Sequence, residues 1–226
     1  MKRLIVLLLL IAGIQHGRAQ SHQWANTLYS RIGLSTAFSI TNDKSYNTYL
    51  VGKFYDSLYI DNKVISVGIT PGSPDAYFAK LNPNGKLNWC KILYTNRYNV
   101  VLRHVQIIND NKVLIYGFFD GDRLKFTKND SLTKSGASGI YTGFVAQYDS
   151  SGNFINATKT YIGYLYGSIW QSDDNFNNGE FTRDKKGYCY LKFFKNKYPG
   201  QITYSSGSIS LNDSIPKDIF FRIAVR

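Results

Sequence analysis

Short apolar runs of strand length, separated by polar clusters, recur along most of this chain. Tyr49-Leu50-Val51-Gly52-Lys53-Phe54, Tyr77-Phe78-Ala79-Lys80-Leu81, Leu114-Ile115-Tyr116-Gly117-Phe118-Phe119 and Phe144-Val145-Ala146-Gln147-Tyr148 are short runs rich in β-branched and aromatic residues. Clusters of Asn, Asp, Ser and Gly bound each run, as they do where strands give way to turns. Beyond the N-terminal apolar segment, no apolar face of period 3.6 reaches the length of a helix. The pattern predicts an all-β protein.

The runs also recur. Gly52 and Gly117, each followed by one residue and then Phe, stand 65 residues apart. The strand-to-turn segments Tyr77–Gly85 and Phe144–Gly152 stand 67 apart. A weaker third copy comprises Tyr190-Leu191-Lys192-Phe193-Phe194, with Lys192 in the glycine position, and Ile219-Phe220-Phe221-Arg222-Ile223. A fixed period of this kind points to a repeat architecture. Each unit reads as four strands, the third and fourth forming a hairpin across the glycine turn, and a stretch such as Asp56 to Thr70 joining the second to the third. The units fall at roughly 30–95, 96–161 and 162–226. Gln23-Trp24-Ala25-Asn26-Thr27-Leu28 matches Asn88-Trp89-Cys90-Lys91-Ile92-Leu93, so residues 22–28 are expected to complete the last unit by pairing with Ile219 to Val225.

The first residues have a different character. Lys2 and Arg3 precede an apolar run from Leu4 to Ile14, and Gly17 and Ala19 supply small residues beyond it. This is the pattern of a secretory signal peptide cut after Ala19, and the run is too short for a bilayer-spanning helix, which needs about 20 residues. Residues 20–226 are then one domain. Eighteen Tyr and 14 Phe against a single Met reinforce the β reading. The formal charge is +12, but the basic residues are scattered singly, with Lys185-Lys186 the only adjacent pair after the leader. That reads as a basic soluble surface, not a nucleic-acid patch. Cys90 and Cys189 each sit in a strand-like run. Export permits a disulfide between them, while the apolar surroundings favour free thiols acting as small hydrophobes.

Asp75-Ala76-Tyr77-Phe78-Ala79-Lys80 with Gly85 and Trp89 resembles the β-propeller repeats of exported bacterial proteins, the SBBP-like repeat. Phe144-Val145-Ala146-Gln147-Tyr148-Asp149 with Gly152 also matches, although Asn156 stands in the Trp position. The third copy keeps Asp218 and the aromatic pair. The resemblance covers most of residues 22–226 and implies a β-propeller-like fold of about three four-stranded units, in an incomplete ring or one that two chains complete. It says little of function, because propellers host many activities.

Candidate chemistry is sparse. Outside the leader the only histidines are His22 and His104. Neither has a partner at metal-ligand spacing, and no Gly-x-Ser-x-Gly elbow occurs. Asp173, Asn175 and Asn177 offer oxygens for calcium, but Gly179 and Asp184 fall out of register with the helix–loop–helix calcium loop, which leaves an Asn/Asp-rich turn as the plainer reading. Tyr161, Tyr164, Tyr166 and Trp170 form a dense aromatic group that could stack on sugars, or simply pack between sheets. Asp56-Ser57-Leu58, Asp130-Ser131-Leu132 and Asp213-Ser214-Ile215 resemble acceptor sites for O-glycans, with Ser57, Ser131 and Ser214 as acceptors; otherwise Asp-Ser opens a turn. The reading is an exported, non-enzymatic binding or scaffold module, secreted, periplasmic or at the cell surface. It expects no cofactor, no nucleic acid and no membrane span; its partner would be a protein or a glycan, or a second copy of the chain. The competing reading is a carbohydrate-active or other hydrolase with its site on the blade loops.

Overall fold

The computed structural model describes residues 24–31, 35–61, 63–67, 74–96, 99–109, 111–134 and 140–164, and beyond them the strands at 180–183, 189–194, 200–204, 207–211 and 218–223; side chains are described as far as Lys159. Eighteen strands lie among these residues. They begin with β1 (Leu28–Tyr29), β2 (Ser35–Asn42), β3 (Thr48–Phe54), β4 (Ser57–Ile60), β5 (Lys63–Val67), β6 (Asp75–Leu81) and β7 (Leu87–Thr95). Next come β8 (Val100–Asn109), β9 (Lys112–Phe119), β10 (Arg123–Lys125), β11 (Ser131–Thr133), β12 (Ile140–Asp149) and β13 (Phe154–Tyr164). The last are β14 (Glu180–Arg183), β15 (Cys189–Phe194), β16 (Gly200–Tyr204), β17 (Gly207–Leu211) and β18 (Asp218–Ile223). The fold is all-β, as expected, and its strand pairs are antiparallel.

Two six-stranded sheets dominate. Their orders are β11-β10-β7-β6-β3-β2 and β17-β16-β13-β12-β9-β8, flanked by three-stranded sheets β1-β4-β5 and β14-β15-β18. In each large sheet four strands form a meander, and a hairpin from the following stretch of chain adds to the outermost strand. This departs from the expected four-stranded units. The stretch after Asp56, read as a connection, is the hairpin β4–β5. Its counterpart β10–β11 pairs with β7, Leu124 opposite Thr95 and Lys125 opposite Tyr94; β16–β17 meets β13 through Gln201 opposite Ile162. The physical reason is the free edge: an outermost strand otherwise presents a row of unpaired backbone donors and acceptors.

The same rule corrects the expectation for the Trp24 strand. Leu28 and Tyr29 pair with Ile60 and Tyr59 of β4, while among the described residues β18 pairs with β15 alone. Trp24 lies across the 82–86 turn, where a Cβ on Gly85 would fall 2.5 Å from its indole. Trp89 lies the same way across the 149–153 turn, with Gly152 3.0 Å from its indole by the same measure. So β1 stands to the first large sheet as β7 stands to the second.

The core follows from strands buried on both faces. All seven residues of β3 are buried. Tyr49, Val51, Ala76, Phe78 and Leu93 face the second large sheet and pack with Val100, Leu102, Ile115, Phe119 and Phe144. Leu50, Phe54, Tyr77, Ala79 and Leu81 face the other way, against Leu58, Ile60, Leu28 and Ile65 of the β1-β4-β5 sheet. Aromatic rings run through the first seam: Trp89 to Phe78 at 4.8 Å, Phe78 to Tyr148 at 5.3 Å and Tyr148 to Phe154 at 5.6 Å, edge-on contacts worth more than area alone. Cys90 carries a free thiol, and burial pushes its pKa up to about 12.

Gly52 and Gly117 occupy matching places. Gly52 lies between Ala37 and Tyr77, beside a bulge at Phe38. Gly117 lies between Leu102 and Phe144, beside a bulge at Arg103. A Cβ on Gly52 would overlap the Thr36 carbonyl, and one on Gly117 the Val101 carbonyl. The two bulged residues then meet, the Arg103 guanidinium 4.4 Å from the Phe38 ring centroid.

Two outcomes follow for stability. Gly52→Ala and Gly117→Ala should each destabilise the fold by about 1–3 kcal/mol through overpacking, measured by urea unfolding, whereas a free Cβ at either position would leave the midpoint unchanged. Tyr46 has φ 60° in a turn whose counterparts are Gly85 and Gly152, and it is 77 % exposed. Relief of left-handed strain, less the entropy a glycine adds to the unfolded chain, should make Tyr46→Gly more stable by about 0.5–1 kcal/mol; a loss of stability in the same assay would contradict that account.

Candidate functional site

The turns at 43–47, 82–86 and 149–153 share one construction. Asp43 Oδ1 accepts from Ser45 N and Asn47 N, each at 2.9 Å. Asn82 Oδ1 accepts from Asn84 N at 2.9 Å and Lys86 N at 3.0 Å. Asp149 Oδ1 accepts from Ser151 N at 2.9 Å and Asn153 N at 2.8 Å. Short polar side chains capture the turn's own backbone donors. Lys80 ties two of these turns together: its ammonium donates to Ser150 O at 3.0 Å and stands 4.0 Å from Asp43 Oδ2. Trp89 Nε1 donates to the same Ser150 carbonyl at 3.4 Å. The Tyr49 hydroxyl donates to Asp43 at 3.3 Å, and burial and the Asp43 charge push its pKa up. This end of the molecule is a structural clasp whose polar groups are largely committed to one another.

The opposite end of β7 is different. Paired residues of antiparallel neighbours share a face, so Tyr94, Lys125 and Ser131 point one way, as do Arg123 and Thr133. Leu124 and Leu132 point the other way, into the core. The β10–β11 hairpin is fixed at its base by a largely buried ion pair between Lys134 and Asp120, and by Lys134 N donating to Asp122 O at 2.8 Å. Asn96 Nδ2 donates to Asp122 Oδ2 at 3.0 Å. What results is an open groove of about 460 Å³ lined by Tyr94, Asn96, Asp122, Arg123, Lys125 and Thr133. Its size lies within the roughly 300–1,000 Å³ of small-molecule sites, and its lining mixes an aromatic ring, two cations and several hydrogen-bonding groups.

The matching row on the β1-β4-β5 sheet is Tyr29, Tyr59 and Val64. There Tyr29 and Tyr59 stack face to face, 4.7 Å apart and 7° from parallel. Tyr29 and Val64 are 39 % and 58 % exposed. The two rows share a frame and differ in chemistry: Tyr59 covers one tyrosine, and Lys125 stands beside the other.

The residues singled out from the sequence are dispersed. Tyr161 and Tyr164 lie on β13 beyond the described side chains. Tyr166, Trp170, Asp173, Asn175, Asn177, Ser214 and His22 lie outside the described residues. Ser57 is buried and donates to Asp56 Oδ2 at 3.1 Å, whereas Ser131 is exposed at the start of β11. The aliphatic residues that follow these serines, Leu58 and Leu132, both pack in the core, which gives the recurring triplet a packing reason. His104 lies on β8, where burial lowers its pKa below the usual 6.5. Among the described residues, no three His, Cys, Asp or Glu side chains gather as a metal site, and no helix is long and apolar enough to cross a membrane. The groove itself was missed. Its only sequence signal is Arg123-Leu124-Lys125, which as a strand puts two cations on one face.

The clasp carries a pH dependence. Burial opposes ionisation of Asp43 and Asp149, but hydrogen bonds outweigh it: the Asn47 side chain, the backbone of Asn47 and Ser45 and the Tyr49 hydroxyl at Asp43, and Asn153, Ser151 and Gly152 at Asp149. Both carboxyls therefore titrate below the ordinary 3.8. A depressed folded value contributes stability that is complete above the unfolded carboxyl's pKa and is lost as pH falls through the folded one. Unfolding free energy should thus drop as pH falls through and below 3.8. In Asp43→Asn with Asp149→Asn the slope should flatten; an unchanged slope would assign the acid sensitivity to other groups.

No model of a known protein family and no curated protein matches this chain.

Proposed function

We propose that this chain is an exported, non-enzymatic binding or scaffold module of β-propeller type, acting outside the cytoplasm. In this reading the two six-stranded sheets are consecutive blades of the SBBP-like repeat, and β1, with β4 added to it, corresponds to the outer strand β7. Export rests on the leader-like residues 1–19. One observation carries the binding reading: the hairpin added to each outer strand fixes a common backbone frame, while the residues at matching positions on its open face change from Tyr59 to Lys125. A rigid scaffold presenting varied surface groups is how recognition sites are commonly built.

The test is retention without turnover. Purified protein should be held on one or more members of a panel of immobilised polysaccharides and surface proteins. Soluble oligosaccharides incubated with it should release no new reducing ends. Catalytic release of products would overturn the reading in favour of a hydrolase. Secreted protein should begin at or next to Gln20; material that still begins at Met1 would remove the basis for export.

A further inference from the structure

We propose that the groove beside Tyr94 binds a saccharide bearing carboxylates, with a sugar ring on the tyrosine face and an acid group held by Arg123 and Lys125. The inference rests on the binding-module reading and names the ligand class of that module's site.

The argument starts from the strand. Arg123 and Lys125 are two apart on β10, so both cations project from one face, about 7 Å apart along the strand. Both are exposed, while Leu124 between them is fully buried and holds the strand down. The cations therefore stand on a fixed backbone, not on a loop tip. An arginine guanidinium presents a planar fork that matches a carboxylate with two parallel hydrogen bonds, and a lysine adds a compact charge beside it.

Tyr94 supplies the second element. Its cross-strand neighbour is Lys125, so among the described residues no ring stacks on it as Tyr59 stacks on Tyr29 at 4.7 Å. A half-buried ring with an apolar face suits the C–H face of a pyranose. Asn96 and Thr133 on the walls offer donors and acceptors to hydroxyl groups. Asp122 is the one carboxylate in the lining. It accepts from Asn96 at 3.0 Å and, with lone pairs to spare, can accept from a sugar hydroxyl. Aromatic face, hydroxyl partners and paired cations together select an acidic sugar over a neutral one, and over a bare anion that would leave the ring unused. The net charge, +12 for the full chain and +9 once Lys2, Arg3 and Arg18 leave with residues 1–19, favours approach of an anionic polymer.

The experiment is titration calorimetry of the secreted protein with tetragalacturonate, and with its full methyl ester, which keeps the rings and removes the charge. Tetragalacturonate should bind and the ester should bind at least about tenfold more weakly, the scale of one charge-assisted hydrogen bond. Arg123→Ala with Lys125→Ala should weaken tetragalacturonate by tenfold or more, and Tyr94→Ala should weaken it while Tyr94→Phe retains it. Lys44→Ala with Lys86→Ala removes the same charge from exposed turns and should change affinity less than twofold. Circular dichroism of each variant should match the parent; if the double alanine variant fails to fold, Arg123→Gln with Lys125→Gln replaces it. No binding of tetragalacturonate, equal binding of the ester, or an equal loss in the Lys44 and Lys86 variant would overturn the groove assignment while leaving the module reading to its own screen. Cleavage of tetragalacturonate would overturn the module reading itself.

Discussion

The constraint on which this structure depends is the unpaired edge of the outermost strand in each meander. β7 packs on both faces, Trp89 and Leu93 in one cluster and Leu87, Cys90 and Ile92 against the other, and without a neighbour its far edge would offer open backbone groups to any passing strand. The chain covers that edge with a hairpin from the next stretch of sequence, β10 on β7 and β16 on β13, and does the same with β4 on β1. Each six-stranded sheet is therefore made of two stretches of chain. The ladder does more than satisfy hydrogen bonds. It sets the register of Lys125 against Tyr94, and so decides which side chains share the outer face.

Neighbouring layers are held in a second way at the opposite end. A tryptophan in the outer strand, or just before it, lies across a turn of the adjoining sheet, and only glycine leaves room there: Gly85 at φ 75° under Trp24 and Gly152 at φ 84° under Trp89. Positive φ and the indole contact make the same demand, since a side chain would be strained by the backbone and blocked by the ring. Lys80 and Ser150 add a polar bond across the same joint. Between these ends the aromatic seam from Trp89 through Phe78 to Tyr148 fills the interior. The joint is consequently rigid at the clasp and through the seam, and chemical variety is left to the far end of the outer strand.

What could be read in the sequence follows from this division. The long inner strands announce themselves, because residues buried on both faces produce runs such as Thr48–Phe54 and Lys112–Phe119. Gly52 and Gly117 stood out because the close approach of the Thr36 and Val101 carbonyls admits nothing larger. The hairpins were illegible. β10 and β11 are three residues each, with Leu124 buried in one and Leu132 half-buried in the other, too short for a period to emerge. The place of Trp24 was half legible: its likeness to Trp89 identified the kind of strand, but likeness alone could not tell that Leu28 and Tyr29 would meet β4. The groove escaped for the same reason as the hairpins. Arg123 and Lys125 look like two scattered cations until the ladder places them beside a tyrosine from residues far back in the chain.

That placement is also why the outer face can change without disturbing the fold. Main-chain bonds fix the hairpin to the strand, and Leu124 and Leu132 fix it to the core, as Leu58 and Ile60 do for β4–β5. The alternate residues contribute to neither. A tyrosine at position 59 closes a stack with Tyr29, and at the matching position a lysine, Lys125, stands opposite Tyr94 beside a second cation. Burial of the inward set supplies the stability, at roughly 1.5–3 kcal/mol for each large side chain removed from water. The outward set is free of that demand. An arrangement that separates the two sets strand by strand lets the surface chemistry of the outer face vary while the seam beneath it stays constant.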